Sequence, residues 1–199
     1  WPDIQYHFLP GAITYDGTVA FKGHGFQVHV GHNKPTSRGH VRVTSKDIKK
    51  HPDILFNYLE TEKDKQGFRD CVRLTREIMS QTAMNQYRGE VIQPKDDVQD
   101  NDQIDAFVRD AVDSAYHPSC SCKMGVDPMS VVDPDLKVHG LSRLRIVDSS
   151  VFPTIPNGNL NAPTMMLAER GADLIKGSTI QPKHRASVYI NEHWQTSQK

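Results

Sequence analysis

The chain has 199 residues, 37% of them hydrophobic and 24% charged, with 24 basic side chains balanced by 24 acidic ones. That length suits one large domain or two small ones, and a net charge of zero with no basic block argues against nucleic acid as a partner. No apolar run approaches the roughly 20 residues a membrane span needs, nothing reads as a signal peptide, and three cysteines, two of them one residue apart, argue against a disulfide framework and for a reducing, cytoplasmic setting.

The chain begins at Trp1 rather than Met and runs directly into a strand-like segment, so it reads as a piece of a longer polypeptide. Residues 1–45 carry a period-2 pattern. Ile4, Tyr6 and Phe8 alternate with Gln5 and His7, Phe26, Val28 and Val30 with Gln27 and His29, and Val41 and Val43 with Arg42. This is the pattern of half-buried strands. Antiparallel pairing through turns such as Tyr15-Asp16-Gly17 and Pro35-Thr36-Ser37 is the simplest architecture for them.

A long helix is predicted over 64–81, with Phe68, Cys71, Val72 and Thr75 on its apolar face, extended by Ile78 and Met79, and with Arg69, Asp70, Arg73, Arg76 and Glu77 solvated. The polar stretch 95–103 reads as a surface loop leading into a second helix over 103–114, whose apolar side holds Ile104, Phe107, Val108 and Val112. No internal repeat appears.

Further on, Leu144-Arg145-Ile146-Val147-Asp148 reads as a short buried strand with Asp148 at its end, closed by Pro153 and Pro156. A third helix is predicted over 164–176, with Met165, Ala168, Ala172 and Ile175 at helical spacing, Pro163 in its first turn and Gly177 as its stop. Asn159 and Asn161 stand immediately before it, where unpaired amides and a partial positive charge favour an anion or a carbonyl. An asparagine at such a place is ordinarily a helix cap, and a histidine in a turn, as at His117, is ordinarily structural. His117, Cys120 and Cys122 form an H-x2-C-x-C pattern, but no fourth ligand is evident and the spacing is not that of a zinc finger or ribbon, so no metal is expected.

Several of these stretches, in this order, resemble the C-terminal signature of the glucose-methanol-choline (GMC) oxidoreductases. They are His117-Pro118 with Cys122-Lys123-Met124-Gly125, Val131-Val132-Asp133-Pro134, Val138-His139-Gly140-Leu141, Leu144 to Ser150, and Gly158-Asn159-Leu160-Asn161-Ala162-Pro163-Thr164. Upstream, Ile4 to Pro10, Ser37-Arg38-Gly39-His40-Val41 and Thr75 to Met79 extend the likeness to residues 1–177, and within the family it is to the choline-oxidising branch.

The resemblance implies an α+β fold, with a substrate-binding domain over residues 1–115 built as an antiparallel sheet backed by helices. Residues 116–177 then hold a catalytic turn and a strand-helix segment that completes an FAD-binding domain, and 178–199 form a tail. The G-x-G-x-x-G fingerprint that grips the FAD pyrophosphate in that family is absent, since Gly23-His24-Gly25 lacks its third glycine. The expectation is therefore that this stretch alone neither holds FAD well nor turns over.

The resemblance also implies the site. His117 matches the catalytic base and Asn161 its partner, which is a histidine in some members; an asparagine can hold an alkoxide by hydrogen bonding but takes no proton usefully. A neutral imidazole, with an ordinary pKa of about 6.5, suits the removal of a hydroxyl proton. His7 matches a histidine lining the substrate cavity, and Asp148, Asn159, Ala162 and Thr164 match cofactor-facing positions. Choline is the implied substrate and glycine betaine the implied end product, with electrons passing to a respiratory acceptor and peripheral contact of the longer protein with the inner face of a respiratory membrane. Oxidation of another primary alcohol, or a non-catalytic binding or assembly role, stand as alternatives. The other eight histidines carry no role.

Overall fold

The computed structural model describes residues 2–13 and 21–178, together with 187, 189, 190, 192, 193 and 196. The expected turn Tyr15-Asp16-Gly17 and most of the expected tail lie outside the described residues. Strands β1 (Ile4–Leu9) and β2 (Gln27–His32) pair antiparallel, with Gln5 opposite Gly31, Tyr6 opposite Val30 and His7 opposite His29. Because side chains alternate along each strand, odd-numbered residues of both strands share one face and even-numbered residues the other.

The even face meets helix α1 (Glu62–Met79). Thr75 Oγ1 lies 3.4 Å from Tyr6 Oη, the His32 ring stands edge-on to Phe68 with centroids 5.2 Å apart, and Gly67 passes so close to His32 that a Cβ there would lie 3.1 Å from the imidazole. Burial lowers the His32 pKa against the opposing pull of Asp64. Asp64 is itself only 2% exposed. It accepts the Thr36 amide at 2.7 Å, the Thr36 hydroxyl at 2.9 Å and the Ser37 amide at 2.7 Å. These bonds make Pro35-Thr36-Ser37 an anchored crossing rather than the hairpin turn the sequence suggests. Strand β3 (His40–Arg42) accordingly pairs not with β2 but with β4 (Asp53–Leu55), a strand that sequence reasoning missed.

The expected helix over 64–81 begins and ends two residues earlier, because Thr61 caps it by accepting the Asp64 amide. Arg69, expected in solvent, is buried: its guanidinium makes a fork to Asp105 and reaches Glu62 at 2.5 Å. Asp105 lies on helix α2 (Asn101–Ala111), which starts two residues before the expected position because Asp100 and Gln103 form a reciprocal capping box. Between α1 and α2, Val72, Ile104 and Val108 make one small core, with Phe68, Phe107 and Val112 against it.

A second core lies further along the chain. Val132, Leu136, Val151, Phe152, Leu160 and Leu167 are its buried members. The expected buried strand over 144–148 does not form. Leu144 is 47% exposed, and the segment's rungs are the Val138 amide to Leu144 O at 3.0 Å, the Ile146 amide to Leu136 O at 3.1 Å and one bridge between Lys137 and Arg145. A ladder needs a partner along its length, and among the described residues this run has only these isolated contacts.

Helix α3 (Asn161–Lys176) ends at Gly177, whose φ of 69° is the left-handed conformation that favours glycine. Its buried side is Leu167 and Gly171 with Leu174 packed behind, whereas Met165, Ala168 and Ile175, which mark the helical spacing in the sequence, are exposed. The inward choice is set by Gly171, where an added Cβ would overlap Val147 Cγ1.

Candidate active site

The His117 turn is fixed from both sides. Tyr116 before it adopts φ 58°, which is left-handed, and Pro118 after it restricts the His117 backbone to extended conformations. Beyond Pro118 the chain runs alongside the 3-10 turn Ser149–Val151. The amides of Cys120, Cys122 and Met124 donate in turn to the carbonyls of Ser149, Ser150 and Val151, at 3.3, 2.9 and 2.8 Å. Val132 then receives the Gly125 amide at 2.9 Å, and a His139 ring nitrogen lies 3.0 Å from the Gly125 carbonyl. Asp127 closes the intervening loop. The Lys123 ammonium, the Ser130 hydroxyl and the Met129 amide hold its carboxyl down at about 2.

Asp148 does not end a strand. It is the N-cap of the Ser149–Val151 turn, its Oδ1 accepting the Ser150 amide at 2.8 Å while the residue stays exposed. Asn161 is not the cap of α3 either: the cap is Leu160, which is buried and offers no side-chain hydrogen bond. Asn161 is the first helical residue and exposed, Ala162 beside it is exposed, and half-buried Thr164 donates its amide to Leu160 O at 2.9 Å. The first-turn amides of Asn161 and Ala162 therefore have no helical acceptor. Just upstream, Asn157 Oδ1 is buried without a hydrogen-bond partner among the described residues.

Leu160 and Cys120 pack into the same core. Asn161 follows Leu160 directly and is exposed, and half-buried His117 lies three residues before Cys120. Neither Asn161 nor His117 makes a side-chain hydrogen bond among the described residues.

The odd face of the β1–β2 sheet turns to the same segment. Gln5 Nε2 donates to Asn159 Oδ1 at 2.6 Å, and Lys34, just past β2, donates from Nζ to Ile155 O at 3.0 Å. His7 is exposed on that face, opposite His29, and Gln27 Nε2 lies 2.6 Å from His29 Nε2. Sequence reasoning had His7 but not Gln5, Gln27, His29 or Lys34. Period-2 spacing from His7 reaches Gln5, but His29 is reached only through the strand register. Among the described residues no group of three His, Cys, Asp or Glu side chains is arranged to hold a metal, and the three cysteines are free thiols. No helix there is long and apolar enough to cross a membrane.

Comparison with known proteins places these features in context. Residues 35–168 match the family model of the GMC oxidoreductases. The whole chain is 59% identical over 201 residues to the oxygen-dependent choline dehydrogenase of Photobacterium profundum, covering 35% of that protein, and 59% identical to that of Vibrio vulnificus, covering 36%. The chain thus spans about a third of the length of the curated relatives it matches. Among solved structures, the pyridoxine 4-oxidase from Mesorbium loti superposes with a TM-score of 0.81 at 26% identity, over 90% of this chain and 35% of that one.

Proposed function

The chain belongs to the GMC oxidoreductase family, and from that premise we propose that it is the C-terminal part of an FAD-dependent choline dehydrogenase that converts choline to betaine aldehyde on the way to glycine betaine. What supports this reading is one arrangement. Leu160 at the head of α3 and Cys120, three residues past His117, pack into a shared core, and a sheet face carrying Gln5, His7 and His29 is tied to that head through Gln5.

The residues at the head of α3 fit a flavin. Two first-turn amides lack helical acceptors, Asn157 Oδ1 is buried and has no donor among the described residues, and Asp148 keeps one carboxylate oxygen beyond the one that caps its own turn. Such a mixture of free donors and acceptors suits the polar edges of that cofactor. In this reading Asp148, Asn159, Ala162 and Thr164 hold it, and 116–177 complete its domain. The exposed Met165, Met166 and Ile175 of α3 are then the surface left for the remainder of that domain. When bound, the flavin supplies the acceptor for the hydride that leaves the carbinol carbon.

The chain's own residues do the rest. A ring nitrogen of His117 takes the hydroxyl proton, which makes the adjacent carbon a hydride donor. The Asn161 carboxamide donates to the alkoxide oxygen as charge develops there, and His7 forms part of the wall that orients the alcohol. Electrons then pass to an external acceptor, and the choline dehydrogenases that the chain resembles are named oxygen-dependent. The 199-residue stretch, lacking the glycine fingerprint, is inactive by itself.

The test is His117→Ala in the full-length protein, assayed with choline. The kcat falls by about 10²–10⁴-fold with flavin content retained; turnover within a few fold of the parent overturns the assignment. A second reading, a different primary alcohol in the same pocket, is favoured by the likeness to pyridoxine 4-oxidase. A panel of alcohols ranked by kcat/KM separates the two.

A further inference from the structure

We propose that Gln5 is a positioning residue: its hydrogen bond to Asn159 sets where the head of α3, and with it Asn161, stands. The need for an external hold comes from the helix itself. Its cap Leu160 is held by burial but contributes no side-chain hydrogen bond, and Gly158, two residues earlier, turns the chain at φ 90°.

Among the described residues, two side chains from outside reach the 155–161 segment by hydrogen bonds, one from β1 and one from just past β2. They are Gln5 to Asn159 Oδ1 at 2.6 Å and Lys34 to Ile155 O at 3.0 Å. The Lys34 contact sits before the Gly158 bend and the Gln5 contact after it, so Gln5 is the one that acts on the helix side of the bend. Gly31 stands opposite Gln5 in the register, and nothing lies within 4 Å of where its Cβ would be, which leaves the Gln5 side chain open space across the sheet. His7 follows Gln5 on the same face. One short strand therefore carries His7, the proposed substrate-facing residue, and Gln5, which reaches the entry of α3.

The structural claim stands without the alcohol-oxidation reading; its catalytic consequence rests on that reading. In the full-length flavoprotein, Gln5→Leu keeps the side-chain size and removes the donor. Amide hydrogen exchange across residues 158–164 then rises roughly fivefold. With choline as substrate, kcat falls about tenfold with little change in KM or flavin content. In an Asn161→Ala background the same substitution lowers kcat by less than about twofold, since what Gln5 locates is already gone.

Unchanged exchange across 158–164 overturns the proposal, and so does an equal loss of kcat with and without Asn161. Should Asn161→Ala alone leave kcat intact, the alkoxide role fails while the exchange measurement still decides the role of Gln5. If Gln5→Leu does not load flavin, Gln5→Met, unbranched and of similar length, carries the same measurements.

Discussion

The backbone amide of Cys122 donates to the carbonyl of Ser150 at 2.9 Å. With the flanking bonds from Cys120 and Met124, it joins the stretch that follows His117 to the stretch that follows Asp148. Two motifs well separated along the chain are one structural unit, and the buried side chains of Val151 and Leu160 connect that unit to the head of α3.

If Asn161 is the alkoxide donor proposed above, Asn161→Ala in the full-length protein lowers kcat for choline by about 10²-fold, with flavin content retained. Steady-state kinetics on the flavin-loaded enzyme check this. A change within threefold removes Asn161 from the chemistry.

Gly171→Ala pushes α3 away from the core, because the added methyl would overlap Val147 Cγ1 and meet Val147 Cγ2 at 3.3 Å. The expected cost is about 1–3 kcal/mol, read by chemical denaturation. A Gly171→Ala, Val147→Ala pair recovers part of it, whereas Val147→Ala alone does not stabilise.

Asp64 gives a pH signature. Burial pushes its carboxyl up, but the Ser37 hydroxyl, the Thr36 and Ser37 amides and the Thr36 hydroxyl together outweigh burial and bring it down to about 2, from an ordinary 3.8. A depressed carboxylate stabilises the fold above its unfolded pKa, and that stabilisation is lost as pH falls through the folded value. The melting temperature of Asp64→Asn is therefore lower than that of the parent near neutral pH, and the difference closes as pH drops from about 4 to about 2. A difference that stays constant across that window sinks the assignment.

Arg69 and Asp105 tie α1 to α2 through the guanidinium fork. Asp105→Ala leaves a buried guanidinium short of its partner and lowers the melting temperature by several degrees. Replacing both, with Arg69→Met and Asp105→Leu, costs less than the single change, because a buried pair exchanged for apolar groups leaves no buried unpaired charge, Glu62 being exposed. Thermal melts of the two variants check the order.

The sequence made α1 legible because Phe68, Cys71 and Val72 mark one stripe. It did not show that Arg69 is buried, since the partner that neutralises it lies on another helix. In α3 both flanks are apolar. Leu167, Gly171 and Leu174 fit helical spacing as well as Met165, Ala168, Ala172 and Ile175 do, and the close approach of Val147 to Gly171 decides between them. The apolar run 144–148 looked like a strand, but a strand is defined by its neighbours and an apolar run does not name them. His117 and Asn161 were proposed through family likeness alone, and the Gln5 contact was not legible, because its partner Asn159 is far along the chain and only the folded structure brings them together.

The parity of β1 and β2 has a practical consequence for engineering. Positions 4, 6, 28, 30 and 32 belong to the packing against α1, while 5, 7, 9, 27 and 29 look the other way. A codon library confined to positions 7 and 9 of the second group, which spares the hydrogen bonds of Gln5 and Gln27, can be screened for new alcohols with the scaffold contacts left as they are, and a library drawn from the first would mostly return proteins that fail to assemble.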